Sequence, residues 1–120
     1  MQNAAMAYNQ TAKITSDPRE LESSLLIRSA SQLQNIKNNW DDKSDTLSEA
    51  LMFNRKLWTI FVTSVTRDDN PLPLEVKNNI ANLASFIFKQ TLSVQAKPAP
   101  EKLTSLITIN REIAAGLSSS

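Results

Sequence analysis

Residues 46–61, TLSEALMFNRKLWTIF, decide the fold class. Leu47, Ala50, Leu51, Asn54, Leu57, Trp58 and Phe61 recur at i, i+3, i+4, i+7, the spacing of one helix face. Thr46 and Glu49, three residues apart at the head of the stripe, have the form of a capping box. One position breaks the apolar pattern: Asn54, followed by Arg55, stands where a hydrophobe belongs. The same break recurs in residues 103–117, LTSLITINREIAAGL, where Leu103, Leu106, Ile107, Ile113, Ala114 and Leu117 flank Asn110 and Arg111. A buried amide left unpaired costs about 1–3 kcal/mol. Each asparagine therefore needs a definite partner. Two readings follow. The amides bond across a helix–helix contact and fix its register, leaving Arg55 and Arg111 at the rim. Alternatively they line a groove that accepts a partner helix.

Working outward, the pattern gives a compact all-α bundle of about five helices in a single domain spanning 1–120. A short helix is predicted at about 4–14, with Ala5, Tyr8 and Ala12 on one face. Asp17, Pro18 and Glu20 mark the next start as cap, N1 and N3. That helix runs to about residue 39 with Leu26, Ala30 and Leu33 in one row. Residues 38–45 are polar and acidic and read as a loop. The helix carrying Trp58 holds the densest aromatic cluster and is expected at the centre of the core. Residues 67–73 form a stop and a turn, and Pro73 opens a helix to about residue 95. Lys97-Pro98-Ala99-Pro100 reads as a stiff linker. The last helix runs from about 101 to 115, with Gly116 suited to its C′ position and residues 118–120 frayed.

Composition narrows the function. A chain of 120 residues, 41% hydrophobic, should bury roughly 65% of its unfolded surface. One real core is within reach. A single glycine and few aromatics argue against a sheet protein. The chain has neither cysteine nor histidine, which removes disulfides, Cys/His zinc sites and Cys or His nucleophile chemistry. Asp41-Asp42 and Asp68-Asp69 are adjacent acids in polar stretches, where water solvates both charges. No glycine-rich phosphate loop is present. We expect no enzyme activity and no cofactor. The N-terminus lacks the charged start and apolar core of a signal peptide, and no apolar run is long enough to span a bilayer. The expected location is the cytoplasm. Charge is balanced, 13 basic residues against 12 acidic, and mixed along the chain. Such a chain lacks the bulk basic footprint of a nucleic-acid binder.

A candidate binding surface lies on the fourth predicted helix. Phe86, Ile87, Phe88 and Leu92 point more than one way, so one face cannot bury them all. The groove between an edge of that helix and the last helix is the first choice for a partner. Phe86, Phe88 and Leu92 would be anchors there, with Arg111 a rim contact to a carboxylate. Asn54, Arg55 and Asn110 complete the candidate residues.

Four motifs in order resemble a known family. They are Ser16-Asp17-Pro18-Arg19-Glu20-Leu21-Glu22, then Ala50-Leu51-x-x-Asn54-x-x-Leu57-Trp58, then Leu72-Pro73, then Ile109-Asn110-Arg111-x-Ile113-Ala114-x-Gly116-Leu117. Ala7-Tyr8 upstream also fits. Together they resemble the FlaF flagellar biosynthesis regulators of alphaproteobacteria, over about residues 5–117. The resemblance implies a small cytoplasmic protein needed for flagellin production and filament assembly, with flagellin as partner in a secretion-chaperone role. It also implies the alternative, post-transcriptional control acting through flagellin mRNA or through the repressor FlbT. Recognition of mRNA would need clustered cations, and Arg55, Lys56, Arg67, Lys77 and Lys89 are scattered along two helices.

Overall fold

The computed structural model of the chain describes residues 18–118. Four long helices follow one another: α1, Pro18–Asn38; α2, Leu47–Val65; α3, Leu74–Ala96; and α4, Thr104–Ser118. No strand occurs among the described residues. The all-helical expectation holds, with four long helices among the described residues where about five were expected for the whole chain. The helix predicted at 4–14 and the Asp17 cap lie outside the described residues.

Residues 38–45 are not the loop their polarity suggests. A single helical turn, Trp40–Lys43, runs into a 3₁₀ turn, Ser44–Thr46, and on into α2. The Asn39 side chain donates back to the Asn35 carbonyl at 3.0 Å and closes α1. The capping box does not form. A cap requires the chain to enter the helix from non-helical geometry. Thr46 is already helical, with φ −93° and ψ 0°. Its hydroxyl donates backwards, to the Lys43 carbonyl at 2.7 Å.

The core stripe of α2 is buried as its spacing predicts, from Leu47 through Leu51, Leu57, Trp58 and Phe61 to Val65. Trp58 is wholly enclosed. Its ring meets Phe61 edge-on, with centroids 5.4 Å apart and planes at 83°, an arrangement that suits the ring quadrupoles. Each fully buried Leu, Ile or Val stabilises by about 1.5–3 kcal/mol relative to exposure. The centre is shared, however. α2 packs on α1 and α3, while α1 makes its most extensive contact with α4. Small side chains explain that contact. Ser23, Ser29 and Ala30 are buried on α1 and Ala114 on α4. The Ser23 hydroxyl donates to the Ala114 carbonyl at 2.8 Å.

α2 and α3 form a helical hairpin. Asn70 organises its turn: the side-chain amide donates to the Ser64 carbonyl at 3.3 Å, and its oxygen accepts from the Leu72 N–H at 3.0 Å. α3 then buries Ile80, Ala84, Ile87, Thr91 and Val94. A second 3₁₀ turn, Pro100–Leu103, leads into α4. Gly116 is not a C′ residue. It lies inside α4, which continues to Ser118, and no glycine among the described residues takes a positive φ.

Candidate functional site

The two asparagines that break the stripes meet each other. Asn54 and Asn110 are both fully buried. The Asn110 amide donates to the Asn54 side-chain oxygen at 2.7 Å and to the Leu26 carbonyl at 3.3 Å. The Trp58 indole N–H donates to the Asn110 oxygen at 2.8 Å. Ser29 donates its hydroxyl to the same Asn54 oxygen at 2.8 Å. The indole can only donate, so it fixes which end of Asn110 is oxygen. That choice in turn fixes Asn54. The amide nitrogen of Asn54 is left with no partner. The network ties α1, α2 and α4 together at one point. With both amides enclosed, Asn54 and Asn110 bond within the fold and line no open groove. Their neighbours are the surface residues: Arg55 and Arg111 are exposed.

The candidate anchors do not lie together. Phe86 and Phe88 are two residues apart, hence about 200° apart around the helix axis. Phe88 and Leu92 face α2, where they line a groove of about 300 Å³ with Arg55, Thr59, Thr91 and Gln95. Phe86 shares its row with Gln90 and Ser93. Gln90 donates to the Lys102 carbonyl at 2.9 Å, and the Lys102 ammonium reaches the Ser93 carbonyl at 3.3 Å. Phe86, 43% exposed, therefore lies on the flank towards the 3₁₀ turn and α4. The groove expected between α3 and α4 is corrected accordingly: Phe88 and Leu92 form it with α2, and neither Phe86 nor Arg111 lines it.

A second hollow adjoins the first. It measures about 430 Å³ and is lined by Met52, Arg55, Lys56, Thr59 and Ile60. The two share Arg55 and Thr59, so they form one continuous surface across α2 and α3. Met52, Ile60 and Leu92 stand 51%, 69% and 64% exposed on it. The sequence reading did not select Met52 and Ile60. They lie about 120–160° from the centre of the buried stripe, and apolar residues outside a complete core face were the available signal. Among the described residues no group of three acids could hold a metal ion.

The chain's relationship to known proteins fits this helical frame. The model of the family described as flagellar protein FlaF matches residues 4–117. The chain belongs to the FlaF family. Neither a curated protein nor a solved structure matches it. The match spans all four long helices, including both asparagines of the FlaF chain's core network and both helices of its exposed apolar surface. No helix among the described residues is long and apolar enough to cross a membrane.

Proposed function

We propose that this FlaF chain is a cytoplasmic flagellin-binding regulator and secretion chaperone that serves flagellin synthesis and filament assembly. Family membership supplies the flagellar setting. The observation that supports capture is the continuous surface of Met52, Ile60, Phe88 and Leu92 across α2 and α3. Scattered exposed hydrophobes are ordinary, but a contiguous patch beside a groove is characteristic of interaction sites. The Asn70 turn and the buried face of α3, Ile80 to Val94, hold α3 against α2, so the surface is part of the fold rather than assembled on binding.

The test is a pull-down of the purified chain against flagellin, FlbT and the flagellin mRNA leader side by side. Retention of flagellin by the wild type, and its loss in Leu92→Asp with helical circular dichroism intact, supports the reading. Retention of FlbT alone, or of the RNA leader alone, replaces it with the post-transcriptional alternative. RNA retention would also fall steeply with salt.

A further inference from the structure

We infer that the α2–α3 surface is built to take an acidic amphipathic helix. The inference rests on the capture reading for the location of the site and adds the chemistry of its occupant. Charge carries the argument. Acids and bases balance over the whole chain, but they are unevenly placed. No carboxylate occurs in residues 50–66 or in residues 76–100, the stretches that supply nearly all of α2 and α3. The charged residues there are Arg55, Lys56, Lys77, Lys89 and Lys97, all basic. Arg55 and Lys56 are exposed within the apolar surface, and Lys89 is exposed one turn before Leu92. Glu49 is the nearest acid along α2. It stands one turn before Met52 and lines a hollow with Gln32, Asn35 and Phe53 towards α1, while Asp45 lines one with Gln95 where α2 begins, so both acids lie at one end of the strip.

Beyond those acids every charge along the strip is a cation, which calls for apolar anchors flanked by carboxylates. The strip's geometry suits a helix. Met52 and Ile60 are separated by eight residues, about 12 Å along α2, close to the ~10.5 Å between anchors at i and i+7 of a partner helix. An added strand has nothing to pair with, because no sheet edge exists among the described residues. A second copy of this chain is disfavoured on the same charge grounds. Two-fold pairing of the surface would gather Arg55, Lys56 and Lys89 of both copies in one interface.

Two fluorescent synthetic peptides of equal length test the inference on the full chain. Both carry leucine at i, i+3, i+7 and i+10. One is flanked by glutamates and the other by lysines. The glutamate peptide should bind about ten-fold more tightly at low salt, with the gap narrowing as salt rises. The double variant Arg55→Glu, Lys56→Glu should invert that preference, and Leu92→Asp should weaken binding of the glutamate peptide with circular dichroism unchanged. Equal binding of the two peptides, binding of neither, or a preference untouched by the charge reversal would overturn it. So would displacement of the bound glutamate peptide by a single-stranded RNA oligomer, which would make the surface a polyanion site. Flagellin retention, measured in parallel, separates the two claims. Flagellin retained without peptide preference defeats this inference alone, while acidic-peptide selectivity without flagellin retention defeats the capture reading alone.

Discussion

The Asn110 amide donates to the Asn54 side-chain oxygen at 2.7 Å across the contact of α4 with α2, and the two residues are unequal partners. Asn110 has its oxygen on the Trp58 indole and its nitrogen on two acceptors. Asn54 has an oxygen with two donors and a nitrogen with no partner. A fully satisfied amide and a half-satisfied one therefore sit side by side in the same buried core. Their energetic roles differ although the sequence presents them identically.

Removing Asn110 should cost more than removing Asn54. Asn110→Ala strands the Trp58 N–H, and it takes away one of the two donors to the Asn54 oxygen and the side-chain donor to the Leu26 carbonyl. Each stranded buried group costs about 1–3 kcal/mol. Asn54→Ala releases the Ser29 hydroxyl, which can rotate to another acceptor, leaves the Asn110 amide its Leu26 acceptor, and deletes the unpaired nitrogen. Urea denaturation of both single variants and the double variant gives the coupling. Equal single losses would contradict the asymmetry, and strict additivity would contradict a direct Asn54–Asn110 bond.

Trp58→Phe isolates the indole hydrogen bond. Phenylalanine keeps much of the buried ring and its edge contact with Phe61 but removes the donor that orients Asn110. The expected loss is about 1–3 kcal/mol from the unpaired Asn110 oxygen, plus a smaller cavity contribution. Trp58→Ala should lose about 3–5 kcal/mol. A Trp58→Phe variant as stable as wild type would mean that Asn110 finds another donor.

The helices and the core stripe were legible in the sequence because helical periodicity is local: Leu51, Trp58 and Phe61 declare one face without reference to the rest of the chain. That Asn54 and Asn110 were singular was legible too. That they bond each other was not, because no pattern within one helix encodes which other helix lies opposite. Ser29 went unnoticed for the same reason, as a serine in a helix carries no mark of a distant acceptor. Phe86 and Phe88 were grouped by proximity in sequence, where a helix separates them. The groove was assigned to α4 rather than α2 because α4 carries a complete stripe of its own after a stiff linker, while the turn read at residues 67–73 does not say which edge of α3 folds back onto α2.

Gly116→Ala should stabilise the protein. Gly116 is helical, and a Cβ built on it meets no atom within 4 Å. Glycine costs about 1 kcal/mol relative to alanine in a helix interior. Two residues from the end of α4 the gain should be smaller, on the order of 0.5 kcal/mol, because end residues fray. The check is a rise in Tm with an unchanged far-ultraviolet spectrum. A loss of stability would show that the backbone here requires glycine after all.

Glu22 should make stability fall as pH rises above the ordinary glutamate range. It lines a cleft where the start of α1 meets Val65, Leu72 and Leu117. Burial raises its pKa above 4.5, and the nearby Arg19 charge opposes that shift without cancelling it. In the interval between 4.5 and the higher folded value, the native protein holds the proton more firmly than the unfolded chain does. Stability from this group is therefore fully present below 4.5 and is lost as pH rises through the folded value. Glu22→Gln keeps the shape and removes the charge. It should raise Tm at pH 7, match wild type near pH 4, and flatten the profile between them. A variant less stable than wild type at pH 7 would show instead that the ionised carboxylate is held favourably, with Arg19 outweighing burial.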